Sequence, residues 1–356
     1  MTDGILVRKE GRAGRITLDR PSALNALSYP MCMAIDAALK AWRDDDDVAL
    51  LILDAAGDRA FCAGGDIAEM YASGLRGEFD YGRQFWRDEY RMNARMFEFP
   101  KPVVSFLHGF TMGGGVGVGC HGSHRIVDES SKIAMPETSI GLVPDVGGSL
   151  LLALAPGHLG EYLGLTATRM DAGDAIYAGF ADYFVPNTGW EALKAELVAT
   201  GDPFRVDAAA LPAPASGLKD LQPLIDKHFG GNLLIDIGNS LTHLHGADAA
   251  EESFAADTLR AINRNSPLAM AVTVELIRRV RNRPEIRNAL EQEYRYTSRS
   301  MEDGDFLEGI RAAIIDRDKS PKWRHADWKS VSGGDVLKMN LPMGRDRLTF
   351  EEEQPK

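Results

Sequence analysis

Seven glycines fall within the fourteen positions from Gly109 to Gly122, in GFTMGGGVGVGCHG, at the end of the apolar run VVSFLHG. A run of that kind reads as a buried strand, and Gly113, Gly114 and Gly115 then stand at the start of a helix of small residues. Each glycine inside a helix costs about 1 kcal/mol relative to alanine. A packing or ligand requirement must therefore offset them. Close approach of a neighbouring backbone is one such requirement. The other is a ligand, because the first N–H groups of a helix suit an anion or a polarised carbonyl oxygen. The two requirements are compatible.

A second glycine loop, AFCAGGD (Ala60 to Asp66), follows a strand and sets Gly64 and Gly65 where a backbone must bend tightly or approach a ligand. A tight turn with Asp66 capping the helix IAEMY explains the same residues. Further on, AMPETSIGLVPDVGGS places Glu137 after Pro136 and Asp145 after Pro144, two carboxylates in stiff and largely apolar surroundings. Carboxyl groups so placed acquire raised pKa values and can act as acid, base or nucleophile. Helix capping by Glu137 or a turn bond from Asp145 is the plainer alternative.

Other patterns lead away from particular chemistries. Gly117, Gly119 and Gly122 fit G-x-G-x-x-G, but a dinucleotide fingerprint begins at the strand end, and Gly117 lies inside the expected helix. His121 and His124 lack a third ligand at convincing spacing, so no metal is expected. There is no G-x-S-x-G serine motif. Cys62 has no neighbouring base or cation to lower its pKa and reads as a small buried filler.

Strands are expected at Arg15–Leu18, Val48–Leu53, Val103–Leu107, Arg125–Val127 and Lys132–Ala134, and a helix at Tyr29–Trp42. The acidic run Asp44–Asp47 reads as a solvated loop. Residues 201–217, rich in Pro, Ala and Gly, read as a linker. The expected organisation is an α/β core over 1–200, followed by a linker and helical region over 201–356. Helices are expected to open at Ser266–Pro267 and Pro284, with Phe306, Ile310, Ala313 and Ile314 continuing the helical period.

The net charge of −12 gives no general attraction to nucleic acid or to an anionic membrane. Apolar runs are interrupted well before the roughly 20 residues of a membrane span. Three scattered cysteines, an odd number, argue against a disulfide framework and for a reducing compartment. With no targeting pattern at the start of the sequence, the expected location is the cytoplasm.

In that order and at those separations, RPSALNAL (Arg20 to Leu27), AFCAGGD, MGGGVGVG and MPETSIGLVPDVGG resemble the crotonase, or enoyl-CoA hydratase/isomerase, superfamily. The resemblance implies a crotonase-type spiral of repeated ββα units with a helical C-terminal region. It also implies a CoA thioester substrate whose oxygen is held by the N–H groups of Gly65 and Gly114, with no separate cofactor. Along the substrate it implies Ala26, Ala63, Asp66 and Gly113. Arg59 is the candidate for the CoA phosphates.

Hydratases of this superfamily use two glutamates, and Gly117 stands at the first of those positions, leaving only Glu137. The pair Glu137 and Asp145, together with the tail YRYTSRSMEDGDFLEGIRAAIIDRDKSPKW, resembles the branch that hydrolyses short 3-hydroxyacyl-CoA thioesters such as 3-hydroxyisobutyryl-CoA. By that resemblance Glu137 attacks the thioester or activates water, Asp145 orients the 3-hydroxyl or the water, and the pathway is valine breakdown. Another crotonase reaction, such as hydration or isomerisation, and a catalytically idle CoA-binding protein are the alternatives. The C-terminal helices are expected either to build a homo-oligomer interface or to fold back over their own chain.

Overall fold

Apolar runs punctuated by glycine turns become strands that alternate between two sheets. The computed structural model describes residues 2–350. Its strands are β1 (Ile5–Glu10), β2 (Ala13–Leu18), β3 (Leu50–Ala55), β4 (Ala60–Cys62), β5 (Val103–Phe106), β6 (Phe110–Met112), β7 (His124–Val127), β8 (Lys132–Ala134) and β9 (Tyr183–Phe184). The larger sheet runs β1-β2-β3-β5-β7-β9, and only its β1–β2 pair is antiparallel. The smaller is parallel, β4-β6-β8. Consecutive pairs β3–β4, β5–β6 and β7–β8 thus place one strand in each sheet. Each repeat adds one strand to the small sheet, in chain order.

The chain divides into two compact units, each built from separate segments. The first comprises the chain up to Asp66, 88–134 and 169–219, and it contains both sheets. Leu50, Ile52, Val104, Phe106 and Ile126 of its large sheet pack with Trp190, Leu193 and Leu197 of the helix Trp190–Thr200. β3 is buried along nearly its whole length, as the central strand of a parallel sheet must be. Its one charged residue, Asp54, is held by Arg15 at 2.6 Å, Thr17 at 2.6 Å and Lys194 at 3.2 Å.

The second unit takes 67–87, 135–168 and the chain from 220 onward. Helix Pro267–Asn282 packs against Gly148–Leu154 and Leu159–Thr166, and Ile286–Ser300 packs against Gly148–Leu154 as well. The C-terminal helices therefore fold back onto their own chain's Glu137–Ser149 segment. Ser266 caps its helix as expected, accepting from the Ala269 N–H at 3.1 Å.

This division differs from the one expected at residue 201. Residues 201–217 belong to the first unit: the Leu211 N–H donates to Phe184 O, and a Cβ on Gly173 would lie 2.4 Å from Ala215 O. Tyr29–Trp42 forms its helix as expected, with Ser28 as the cap. The strands β1, β4, β6 and β9 were not foreseen, because β4 and β6 have three residues each beside glycine turns, β9 has two, and β1 alternates only weakly at an edge. Beyond Ile310 the helical period breaks in a π-helical turn, Arg311–Ile315, which leaves Ile314 and Ile315 exposed. In the acidic run, Asp45 and Asp47 pair with Lys9.

Candidate active site

In the first unit the two glycine loops lie side by side. The loop after β4 is tied to the RPSALNAL turn by three backbone bonds: Leu27 N–H to Gly64 O, Asp66 N–H to Leu27 O and Ala63 N–H to Leu24 O. That turn is itself pinned by the buried Asn25, whose amide donates to Ala56 O and Ala60 O while its oxygen accepts from the Arg20 N–H. Gly64, at φ +117°, turns the loop through a backbone conformation that favours glycine. After β6, Gly113 at φ +50° opens the helix Gly114–Gly119.

A Cβ placed on Gly114 would lie 3.2 Å from the Gly65 nitrogen, so the two loops are in contact through these glycines. Among the described residues the N–H groups of Gly65 and Gly114 have no acceptor. Two adjacent donors of this kind are what a developing oxyanion requires.

Close packing accounts for two of the glycines. Gly115 and Gly119 serve packing: a Cβ on Gly115 would fall 2.2 Å from Cys62 O, and one on Gly119 would fall 2.5 Å from Leu107. Gly117 donates nothing to acid–base chemistry; its carbonyl accepts from Asn93 at 3.0 Å. Sequence reasoning missed Glu89, a buried carboxyl of the helix Asp80–Phe97 whose Oε1 would lie 3.4 Å from a Gly114 Cβ.

The carboxylates expected to do chemistry lie in the second unit. Glu137 opens a short 3₁₀ turn, Glu137–Ile140, closed by Gly141 at φ +75°. Helical neighbours hold that turn from several sides. Ser266 N–H donates to Thr138 O, Thr138 Oγ1 donates to Gly164 O, and Tyr296 Oη donates to Gly141 O at 3.0 Å. A Cβ on Gly309 would strike Ile140 O at 2.1 Å, so the C-terminal region seats directly on this turn.

Glu137 is 4% exposed, and its Oε2 has no hydrogen-bond partner among the described residues. Burial pushes its carboxyl well above the usual carboxylate range, and the negative charges of Asp145 and then Glu293 add to the rise. Asp145 is equally buried, in a turn where Val146 and Gly147 both adopt left-handed backbone at φ +53° and +79°.

Glu293, which sequence reasoning also missed, reaches this turn from the helix Ile286–Ser300. It accepts from the Gly147 N–H at 2.9 Å, the Ser149 N–H at 3.1 Å and the Ser149 hydroxyl. The available signal was a glutamate on the same helix face as Leu290 and Thr297, where all three are buried.

The remaining expected residues fall as follows. Ala26, Ala63 and Asp66 are half-buried along the joined loops of the first unit, and Gly113 is buried. Asp66 does not cap a helix: it pairs with Arg20 at 3.1 Å, and the helix Ala68–Leu75 has no side-chain cap at Ile67. Arg20 also donates to Ala26 O, so it braces its own turn. Arg59 is exposed just before β4, and its carbonyl accepts from the Phe110 N–H. Cys62 is fully buried with its thiol pushed up to about 12 by burial, which suits a packing role. His121 packs against Phe97, and His124 stacks on Tyr183. Ser320–Trp323 is an irregular, exposed to half-buried segment in which Lys322 N–H donates to Glu308 and Trp323 Nε1 to Arg264 O.

Comparison with known proteins adds the relatives of this arrangement. The enoyl-CoA hydratase/isomerase family model matches residues 13–339. The human mitochondrial 3-hydroxyisobutyryl-CoA hydrolase is 35% identical, with 97% of this chain and 90% of that protein covered. A probable 3-hydroxyisobutyryl-CoA hydrolase of Arabidopsis thaliana is 36% identical, over 90% of this chain and 86% of that protein. Among solved structures, an enoyl-CoA hydratase from Rhodobacter sphaeroides is 52% identical with a TM-score of 0.91, covering 98% of this chain and 100% of that one. A carnitinyl-CoA dehydratase from Mycobacterium thermoresistibile has the same TM-score at 40% identity, covering 99% and 100%.

Proposed function

We propose that this chain, which belongs to the enoyl-CoA hydratase/isomerase family, is an acyl-CoA thioester hydrolase acting on 3-hydroxyisobutyryl-CoA. The observation that carries the reading is Glu137, a buried carboxyl with one oxygen unclaimed by any described residue, on a chain that has Gly117 where hydratases of this family have their first acid. Hydration across a double bond needs an acid and a base on that platform. Thioester cleavage needs one nucleophile or base and an oxyanion cradle.

In this reading the thioester oxygen accepts from the Gly65 and Gly114 N–H groups. A Glu137 oxygen bonds to the carbonyl carbon, the C–S bond breaks, and the CoA thiolate leaves and takes up a proton. Water then opens the mixed anhydride, giving the hydroxy acid and restoring Glu137. Activation of water by Glu137 in a single step gives the same products. Asp145 orients the 3-hydroxyl or the water, Ala26, Ala63, Asp66 and Gly113 line the acyl-CoA, and Arg59 meets the CoA phosphates. No cofactor beyond the CoA of the substrate enters this scheme.

Among the described residues no helix is long and apolar enough to cross a membrane. The three cysteines are free and buried, which supports a reducing compartment; the animal relatives are mitochondrial. The cytoplasm and a part in valine breakdown complete the proposal.

Thiol release from 3-hydroxyisobutyryl-CoA, measured beside crotonyl-CoA hydration, tests the reading. Rapid CoA release supports it, whereas hydration without thiol release returns the chain to the hydratases. A pH profile gives a second test. Glu137 must be ionised to act as nucleophile or base, and its raised pKa moves that requirement upward. We expect kcat/KM to rise with pH along a limb whose midpoint lies well above the usual carboxylate range, with activity lost as pH falls through it. A limb centred near 4.5, the ordinary glutamate value, would contradict the role given to Glu137.

A further inference from the structure

Asp145 sits in a turn that backbone preferences alone do not favour. Val146 is a β-branched residue at φ +53°, and Gly147 follows at φ +79°. A left-handed β-branched residue is a steric outlier and persists only where its surroundings over-determine it. One carboxyl group supplies much of the directed bonding around this turn. Glu293, fully buried, accepts on one oxygen from the Gly147 N–H at 2.9 Å, and on the other from the Ser149 N–H at 3.1 Å and the Ser149 hydroxyl. These bonds grip the turn immediately beyond Asp145, whose own carbonyl accepts from the Gly148 N–H at 2.7 Å. The Met135 side chain packs against Gly148 on the far side of the same turn.

We propose that Glu293 is a positioning residue for thioester hydrolysis, fixing through Gly147 and Ser149 the turn that aims Asp145. The proposal rests on the hydrolase reading and adds a third carboxyl group, acting through the second. Simple stabilisation would be met by an apolar side chain filling the same space. A buried carboxyl beside Asp145 and Glu137 is an unfavourable choice for that purpose, because like charges repel there, and burial and Asp145 push Glu293 up to about 8 against the pull of its three donors. What the carboxyl supplies and an apolar group cannot is a set of directed bonds to the turn.

The test is a double-mutant cycle on thiol release from 3-hydroxyisobutyryl-CoA, run under single turnover with enzyme in excess so that slow variants are read. Glu293→Gln puts an amide N–H where an acceptor is needed, and is expected to lower the rate by about 10- to 100-fold through misplacement of Asp145. KM for the thioester should change little. In an Asp145→Asn background the same substitution should cost less than about twofold, because the group it positions is already gone. Ser149→Ala, a milder change that leaves Glu293 in place, should show the same pattern at smaller amplitude and carries the test where Glu293→Gln folds poorly. Equal rate losses in both backgrounds, or a Glu293→Gln protein at the wild-type rate, would overturn the proposal. A wild-type chain that releases no thiol sinks the hydrolase reading itself, a result no Glu293 variant can imitate.

Discussion

Glu137→Gln is expected to lower the rate of thiol release from 3-hydroxyisobutyryl-CoA by about 10⁴-fold, the upper range for loss of a positioned acid–base group. The substitution keeps the shape of the side chain and the bond from Leu142 N–H to Glu137 O that closes the turn. What it removes is an ionisable group that burial and Asp145 hold well above its ordinary pKa. Linkage fixes the sign of the accompanying stability change. A raised carboxyl is held protonated more tightly by the folded chain than by the unfolded one. Its contribution is therefore complete below the unfolded value of 4.5 and is lost as pH rises through the folded value. A permanently neutral glutamine escapes that loss, so above neutral pH the variant should melt no lower than the wild type. Single-turnover assay and thermal unfolding at two pH values check both halves. Near-normal turnover by Glu137→Gln would remove the proposed mechanism altogether.

Gly114→Ala is expected to lower kcat/KM by about 10²- to 10³-fold, the effect of losing one oxyanion donor, with little change in melting temperature. The added methyl would stand 3.2 Å from the Gly65 nitrogen and 3.4 Å from Gly64 C and Glu89 Oε1, distances that small shifts relieve. The fold survives, but the methyl covers the Gly65 N–H. Gly115→Ala makes the instructive contrast. Its Cβ would lie 2.2 Å from Cys62 O, a backbone atom that cannot move aside, so that variant should lose stability by about 1–3 kcal/mol or fail to fold. Two adjacent glycines thus separate by assay: one variant folds and is slow, its neighbour is unstable.

Much of the fold and part of the candidate site are legible in the sequence, and the division follows the range of the forces involved. The helix Tyr29–Trp42 and the Ser266 cap are local, set by spacing and by a hydroxyl three residues from the N–H it meets. The glycine loops announce themselves because glycine in a helix is unfavourable without a reason. Glu137 and Asp145 stand out as charges among prolines and apolar residues. Glu293 gives only its place on one helix face with Leu290 and Thr297, because its bonds are to residues 146 and 144 positions away and that place does not name them. The same limit explains residues 201–217: their composition suits a linker, and only tertiary contacts with Phe184 and Gly173 show them packed.

The discontinuity of the second unit bears on how the protein is made. Residues 135–168 leave the ribosome well before the helices that cover them, which lie between Ser266 and Ile310. At about 5–20 residues per second, a nascent Glu137 segment waits roughly 5 to 30 s for its cover. During that interval LVPDVGGSLLLALA is an apolar stretch without its burial partners, the kind of surface that is prone to aggregate while exposed. A premature stop anywhere before Ile310 would leave that interval without an end.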